Sequence, residues 1–310
     1  MDKRARFFLG MLILLAAAAG VAAAAEPTAT MAVNYARPFE PPTRPAFLPL
    51  PPGAVEPAGW LRDWCLAARD GFTGHMDEYD EEFRRAWALE HTMRGERLNW
   101  PKGGWPYEGG GYWFDGLARL GFVLHDDALL AQAKRRLDVV VNSMNPNSIL
   151  FLWWLNRDKP EDVKGATVSG AWPLWASGLL GRALAGYYAG SKDPRVLQTL
   201  ETAYRGDRDW LRMAWGMSNP GAALETYTWT GNKEIAAALS RLFAKDGGGI
   251  DPGGASWNRY RQMPDMKRGV EKNDHVVHFC ESTAPWALGY LWTGNRKLLE
   301  APMAWHDLVE

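Results

Sequence analysis

The stretch GGGYWFDGLARLGFVLHDDALLAQAKRRLDVVV, residues 109–141, decides the fold, because it reads as two helices joined by a short polar turn. Apolar residues recur at spacings of three and four on either side of that turn, which is typical of helices that bury one face. They are Trp113, Leu117, Leu120 and Leu124 before the turn, and Leu130, Ala133, Leu137 and Val141 after it. Asp126 stands where its carboxylate can accept from the free backbone N–H groups of the second helix. The stretch therefore predicts a helical hairpin.

The same arrangement, a helix, a short polar turn and a second helix, recurs three times further along the chain. The second copy spans residues 174–204, and its Asp193-Pro194 pair is a strong helix-start signal, since proline at the first helical position loses no hydrogen bond. The third and fourth copies share a Trp-Thr-Gly-Asn turn at 229–232 and 292–295. Repeated hairpins bury one another's apolar faces. Because the copies are unevenly spaced, we expect an all-α fold that closes into a toroid with inserted loops.

Three segments organise the chain. Residues 1–25 combine a positively charged start, a short apolar centre and a run of alanines, the pattern of a cleaved export signal rather than of a membrane anchor. We therefore expect a periplasmic or secreted protein without a stable membrane anchor. Residues 26–58 are rich in proline, which favours an extended arm over helix or sheet. Residues 59–310 remain for the helical domain and are numerous enough to form one large core.

Composition bears on the class of function. A formal net charge of −1 gives no indication of binding to nucleic acid or to an anionic membrane. Two cysteines, Cys65 and Cys280, are too few for a disulfide framework, and the sequence leaves open whether they pair. The seventeen tryptophans suit both a helical core and a cleft that receives sugar rings. We include Trp105 and Trp175 as candidate substrate contacts, with Trp105 in a Gly- and Pro-rich loop, residues 100–111, that approaches the first hairpin.

The segment DHVVHFCE, residues 274–281, holds the densest polar chemistry of the chain. On a helix, His275, His278 and Glu281 share one face, because they are three residues apart. Three interpretations remain open: metal ligands, buried histidines bonded to backbone carbonyls, and donors to substrate hydroxyls. The spacing matches neither His-Glu-x-x-His nor paired Cys-x-x-Cys, so we predict no metal site and retain these three residues as candidate substrate contacts.

Five segments taken in order resemble a known family. They are GWLRDWCLAARDGFTGHMDEY (59–79), GYWFDGLARLGFVLHDDALLAQAKRRLD (111–138), WPLWASGLLGRALAGYYAGSKDPRV (172–196), ETYTWTGNKEI (225–235) and HVVHFCESTAPWALGYLWTGNRKLLEA (275–301). The set resembles glycoside hydrolase family 127, the β-L-arabinofuranosidase group. The resemblance implies an (α/α)6 barrel, incomplete here at the C-terminus, with a cleft at one end. It also implies action on L-arabinofuranose, or a related sugar, at the non-reducing end of plant glycans.

The resemblance also implies roles for particular residues. His275 matches a histidine that contacts the sugar, and His278 stands where the family usually has Asn. Tyr112, Trp113 and Asp115 match a Tyr-Trp-x-Asp helix that lines the barrel. By spacing alone, the default interpretation of Asp115 is an ordinary surface ion pair with Arg119, one helical turn away.

The sequence does not reveal the residues that would cleave a glycosidic bond. The resemblance places three features of the family C-terminal to the segment that includes Leu298. They are the acid/base Glu, the Cys nucleophile and the zinc-binding Cys/Glu set. We therefore expect an N-terminal part of a glycosidase, with its catalytic residues unassigned, no cofactor in this chain, and zinc implied only for the missing part. One alternative is a polysaccharide lyase or unsaturated uronyl hydrolase, in which Tyr260, Arg261 and His275 would meet an acidic sugar. Another is a carbohydrate-binding protein without catalysis.

Overall fold

The described part of the chain is mostly helical, in agreement with the predicted all-α class. A computed structural model describes residues 49–88, 100–168, 172–206, 218–243, 284–300 and 302–303. The helices are α1 Trp60–Asp70, α2 Phe72–Tyr79, α3 Glu81–Arg85, α4 Trp100–Leu124, α5 Asp127–Ser143, α6 Pro160–Val168, α7 Trp172–Ser191, α8 Pro194–Tyr204, α9 Ser218–Thr230, α10 Lys233–Phe243 and α11 Ala284–Thr293, followed by a short 3₁₀-helix Arg296–Leu299. Two strands, β1 Ser148–Ile149 and β2 Leu152–Asn156, pair antiparallel.

Within the described residues, four helical hairpins use the same kind of turn. The residue after the first helix has a positive φ, and an Asp or Asn follows whose side chain accepts from a backbone N–H two residues further on. The positive-φ residues are His125 (52°), Lys192 (56°), Gly231 (65°) and Gly294 (71°), and the capping residues after them are Asp126, Asp193, Asn232 and Asn295. The predicted caps at Asp126 and Asp193 are therefore confirmed. Each accepts from a backbone N–H group that has no partner within its own helix.

The third and fourth turns are the same structure as well as nearly the same sequence. Thr230 and Thr293 each donate a hydroxyl hydrogen bond to the carbonyl four residues earlier, at 2.9 and 2.7 Å. The same hydroxyls accept from the backbone N–H of Asn232 and Asn295, both at 3.2 Å. The internal repeat that the sequence indicates is thus reproduced in these hydrogen bonds.

The hairpins stack in two layers. The helices α4, α7 and α9 form an inner layer, in which α7 packs against α4 on one side and against α9 on the other. The helices α5, α8 and α10 return along the outside of these partners. The outer helices are amphipathic: in α10 the buried residues are Ile235, Ala238, Leu239, Leu242 and Phe243, at helical spacing. In α7, by contrast, the described side chains from Ala176 to Tyr187 are all buried except one, because protein covers the helix on both sides.

Residues 100–111 differ from prediction. We expected a loop, and the structure continues α4 through them from Trp100. The glycines are used for close packing rather than for a turn: a Cβ on Gly110 would lie 2.8 Å from Cβ of Ala86, and one on Gly111 would lie 2.7 Å from Cβ of Leu179. Tertiary contact therefore compensates for the low helix propensity of the glycine run.

The predicted long connection after α5 also holds regular structure. Residues 142–170 include the β1–β2 hairpin and α6, and the apolar run from Ile149 to Leu152 is buried beneath the helices. Residues 49–58, the described part of the proline-rich segment, form turns and extended chain. Within the ranges that the structure describes, no helix is both long enough and apolar enough to cross a bilayer.

Candidate functional site

A polar, solvent-accessible strip runs across the three inner helices. On α7 the accessible residue between Ala176 and Tyr187 is Arg182, and on the middle of α9 it is Glu225. On α4 the partly accessible positions Glu108, Tyr112 and Gly116 recur at intervals of four residues, which places them on one side of the helix. Elsewhere these helices carry few charged residues, so a group of charges on this strip requires a specific explanation.

Asp115 is the buried anchor of the strip. Its residue is only 4% exposed, and two arginines hold its carboxylate. Nε of Arg119, one turn later on α4, donates to Oδ1 at 2.6 Å, and Nε of Arg182 on α7 lies 2.8 Å from Oδ2. Both oxygens are therefore engaged, which is what a buried carboxylate requires. The predicted pairing with Arg119 is confirmed, but the pair is not an ordinary surface pair, because α7 covers the carboxylate and adds a second arginine.

The backbone of α7 lies directly against this ion pair. A Cβ on Gly186 would come within 2.8 Å of Nη2 of Arg119 and 3.0 Å of Oδ1 of Asp115. Any larger residue there would press on the guanidinium group. The bare glycine thus lets α4 and α7 approach closely enough for the ion pair to bridge the two helices.

Glu225 is the second carboxyl group of the strip. Its side chain is open to solvent, yet the surrounding protein raises its pKa, chiefly through desolvation. The charges nearby have opposing effects on that pKa: Arg119 and Arg182 lower it, and Asp115 raises it. A carboxyl group that solvent reaches, but that protein crowds, is the arrangement expected in a concavity. Within the described part of the chain its carboxylate forms no ion pair.

We call Asp115, Arg119, Arg182 and Glu225 the charged cluster. Tyr112, one turn before Asp115 on α4, is partly exposed on the same side of the helix, and its role in substrate contact stays a prediction.

Trp113, expected from the resemblance to line a sugar cleft, lies in the packed core instead. It is 5% exposed, its indole N–H donates to the carbonyl of Thr73 at 2.7 Å, and the guanidinium of Arg136 lies 5.5 Å from the ring centroid. The reason is geometric, because successive residues on a helix are rotated by about 100°. Trp113 therefore points toward α2 and α5, and Tyr112 lies about 100° around α4 from it.

The remaining predicted contacts are not described by the structure. For Trp105 and Trp175 the helical backbone is described but the side-chain surroundings are not, and His275, His278 and Glu281 lie outside the described residues. Their roles stay predictions. Among the described residues, no three His, Cys, Asp or Glu side chains come together as a group that could hold a metal ion.

Sequence reasoning missed Arg182 and Glu225. Both had a signal that could have been used: Arg182 is the single charged residue of WPLWASGLLGRALAGYYAGS, and Glu225 is the single charged residue of SNPGAALETYTWT. A lone charge in the middle of an otherwise uncharged helix is a useful signal, because such a helix is expected to be largely buried and an unpaired buried charge is costly.

Comparison with known proteins leaves the family open. No family model matches the chain, and neither a curated protein nor a solved structure matches it.

Proposed function

We propose that this protein binds and hydrolyses a plant glycan as a glycoside hydrolase of family 127 type, with L-arabinofuranose or a related sugar at the non-reducing end. In this proposal the hairpins curve into an (α/α)6-type toroid, the charged cluster faces its hollow, and the protein works in the periplasm or outside the cell. The observation that carries the proposal is the charged cluster itself, set on three helices that otherwise carry few charged residues.

Two features of the cluster support a role with sugars. Sugar sites in proteins combine apolar walls with a few convergent polar groups, and the inner helices offer this combination. The cluster also holds two carboxyl groups in different surroundings. Asp115 is fixed between two guanidinium groups, whereas Glu225 is accessible and has a raised pKa. A carboxyl group whose surroundings favour its protonated form, as those of Glu225 do, is suited to act as the acid in cleavage of a glycosidic bond.

We assign Glu225 the role of proton donor to the leaving-group oxygen, a role that the resemblance to family 127 gives to a different glutamate. Desolvation favours its neutral form, which is the form that can give up a proton, and its exposure lets a substrate approach. Asp115 would orient the arginines rather than react, since both of its oxygens are engaged. The nucleophile or second carboxylate that cleavage requires is left unassigned.

The test uses the full chain and p-nitrophenyl L-arabinofuranosides in both anomeric forms. We expect release of p-nitrophenol, and a loss of about 10²–10⁴-fold in the Glu225→Gln variant, as is usual on removing a general acid. Glu234→Gln is the matched control, because Glu234 is an exposed glutamate on the outer helix α10 and is not part of the charged cluster. Equal activity of Glu225→Gln and wild type would remove Glu225 from the mechanism.

Two other outcomes would overturn the proposed hydrolysis. Calorimetric binding of arabinosides without turnover would identify a carbohydrate-binding protein. A rise in ultraviolet absorbance from a new double bond in an acidic polysaccharide, with no release of p-nitrophenol, would identify a lyase.

A further inference from the structure

We propose that the guanidinium groups of Arg119 and Arg182 bind a carboxylate of the substrate, which makes the substrate an acidic plant glycan bearing a uronic acid residue. This inference rests on the proposed function, because it names the class of glycan that the same site accepts. It concerns the terminal amino groups of the two arginines, which the proposed cleavage step does not use.

Each arginine contacts the carboxylate of Asp115 through its own Nε atom. Nε of Arg119 lies 2.6 Å from Oδ1, and Nε of Arg182 lies 2.8 Å from Oδ2. A guanidinium group carries five N–H donors, so each arginine keeps its Nη amino groups beyond this contact. Their side chains are 42% and 54% exposed, although the carboxylate between them is buried. Within the described ranges neither arginine forms a further ion pair; Nη2 of Arg119 packs against the backbone at Gly186, and the other Nη groups are the donors assigned to the ligand.

The charge of the cluster favours an anion. Two guanidinium groups share the single carboxylate of Asp115, which leaves an excess positive charge whenever Glu225 is protonated. The planar fork of a guanidinium matches the two oxygens of a carboxylate better than it matches a neutral hydroxyl. Tyr204 lies close enough for the charge of Glu225 to act on it, and burial raises the pKa of its hydroxyl, so it stays neutral and does not oppose an anion.

The arrangement is held in place before any ligand arrives. Asp115 fixes both guanidinium groups through Nε, and the bare backbone at Gly186 leaves room for Nη2 of Arg119. Donors that are already oriented lose less entropy on binding, which is how a small number of contacts gives useful affinity. An Arg–Asp–Arg bridge that only joined α4 to α7 would not require two half-exposed guanidinium groups on the same accessible strip.

Calorimetry on the full chain tests the inference with methyl D-galacturonide and methyl D-galactoside, which differ only in a carboxylate or a hydroxymethyl group at C6. We expect the galacturonide to bind at least about tenfold more tightly, as is usual for a charge-assisted contact. Arg182→Gln should abolish that preference. Arg135→Gln is the matched control, since it removes the same charge from the outer surface of α5 and should leave the preference unchanged. Sodium sulfate, titrated alone, separates recognition of an acidic sugar from capture of any anion.

Each outcome of these titrations supports or overturns the inference. Equal affinity for the two glycosides, with hydrolysis of the arabinoside intact, would overturn the inference and leave the proposed function standing. Absence of binding by every sugar and of hydrolysis would overturn both. Sulfate binding as tightly as the galacturonide would also overturn the inference, because the sugar ring would then contribute nothing. If Arg182→Gln does not fold by circular dichroism, the preference of the wild-type chain between the two glycosides still gives the answer.

Discussion

The substitution Gly181→Ala, which adds one methyl group, tests how closely α7 packs against α8. A Cβ at that position would lie 2.1 Å from the hydroxyl of Tyr204 and 2.8 Å from Cε2 of Phe151. Both rings are fully buried, with their centroids 5.5 Å apart, and cannot yield without moving the core. The Tyr204 hydroxyl donates to Asn219 at 3.1 Å, and the displacement would break that bond.

The magnitude of the Gly181→Ala effect follows from three contributions. Overpacking a core costs about 1–3 kcal/mol. Loss of the hydrogen bond to Asn219 adds about 1 kcal/mol. Replacing a helical glycine by alanine returns about 0.5–1 kcal/mol. We therefore expect the free energy of unfolding to fall by about 1–3 kcal/mol, measured by urea denaturation followed by circular dichroism.

The matched control is Gly116→Ala on α4. A Cβ there meets nothing closer than Cγ2 of Thr73 at 4.0 Å, so the same substitution should stabilise the protein by about 0.5–1 kcal/mol. The second test is the double variant Gly181→Ala/Tyr204→Phe, in which the closest clashing atom is absent. It should recover at least about 1 kcal/mol relative to the sum of the single changes. If both glycine variants shift stability in the same direction, or the double variant shows no coupling, α7 and α8 do not approach as described.

Three further predictions concern the turns and the accessible carboxyl group. Asp193→Ala removes the cap that accepts from the backbone N–H of Arg195 at 3.0 Å, and should lower the free energy of unfolding by about 1 kcal/mol in urea titrations; no change would discount the cap. Gly294→Ala, at φ 71°, should cost about 1 kcal/mol, whereas His125→Gly, at φ 52°, should not destabilise; thermal melts of the two variants compare them directly. The pKa of Glu225 is raised in the folded state, so protonation of this carboxyl group stabilises the fold. This stabilisation is complete at pH values below the ordinary Glu pKa of about 4.3 and is lost as the pH rises through the raised pKa. Glu225→Gln should therefore lose less stability than wild type across that rise, and parallel curves of unfolding free energy against pH would contradict the desolvation of this carboxyl.

The hairpins could be predicted from the sequence because their signals are local. A cap such as Asp126 or Asp193 acts on N–H groups two or three residues away, so the same chemistry holds wherever the helix is later packed. Amphipathic outer helices such as α10 likewise show which face they bury. Residues 100–111 could not be predicted in this way, because their glycines disfavour a helix until Ala86 and Leu179 pack against them.

By itself, the sequence determined the helical class, the positions of four turns and the pairing of Asp115 with Arg119. The tertiary structure alone decided which side of each inner helix is accessible, and it therefore buried Trp113 and brought Arg182 and Glu225 to the same strip. The physical reason is that an inner helix such as α7 is buried almost all around, so its sequence shows no single apolar face that would indicate its orientation. That orientation is set by neighbours distant in sequence, and the chemistry of the candidate site follows from it.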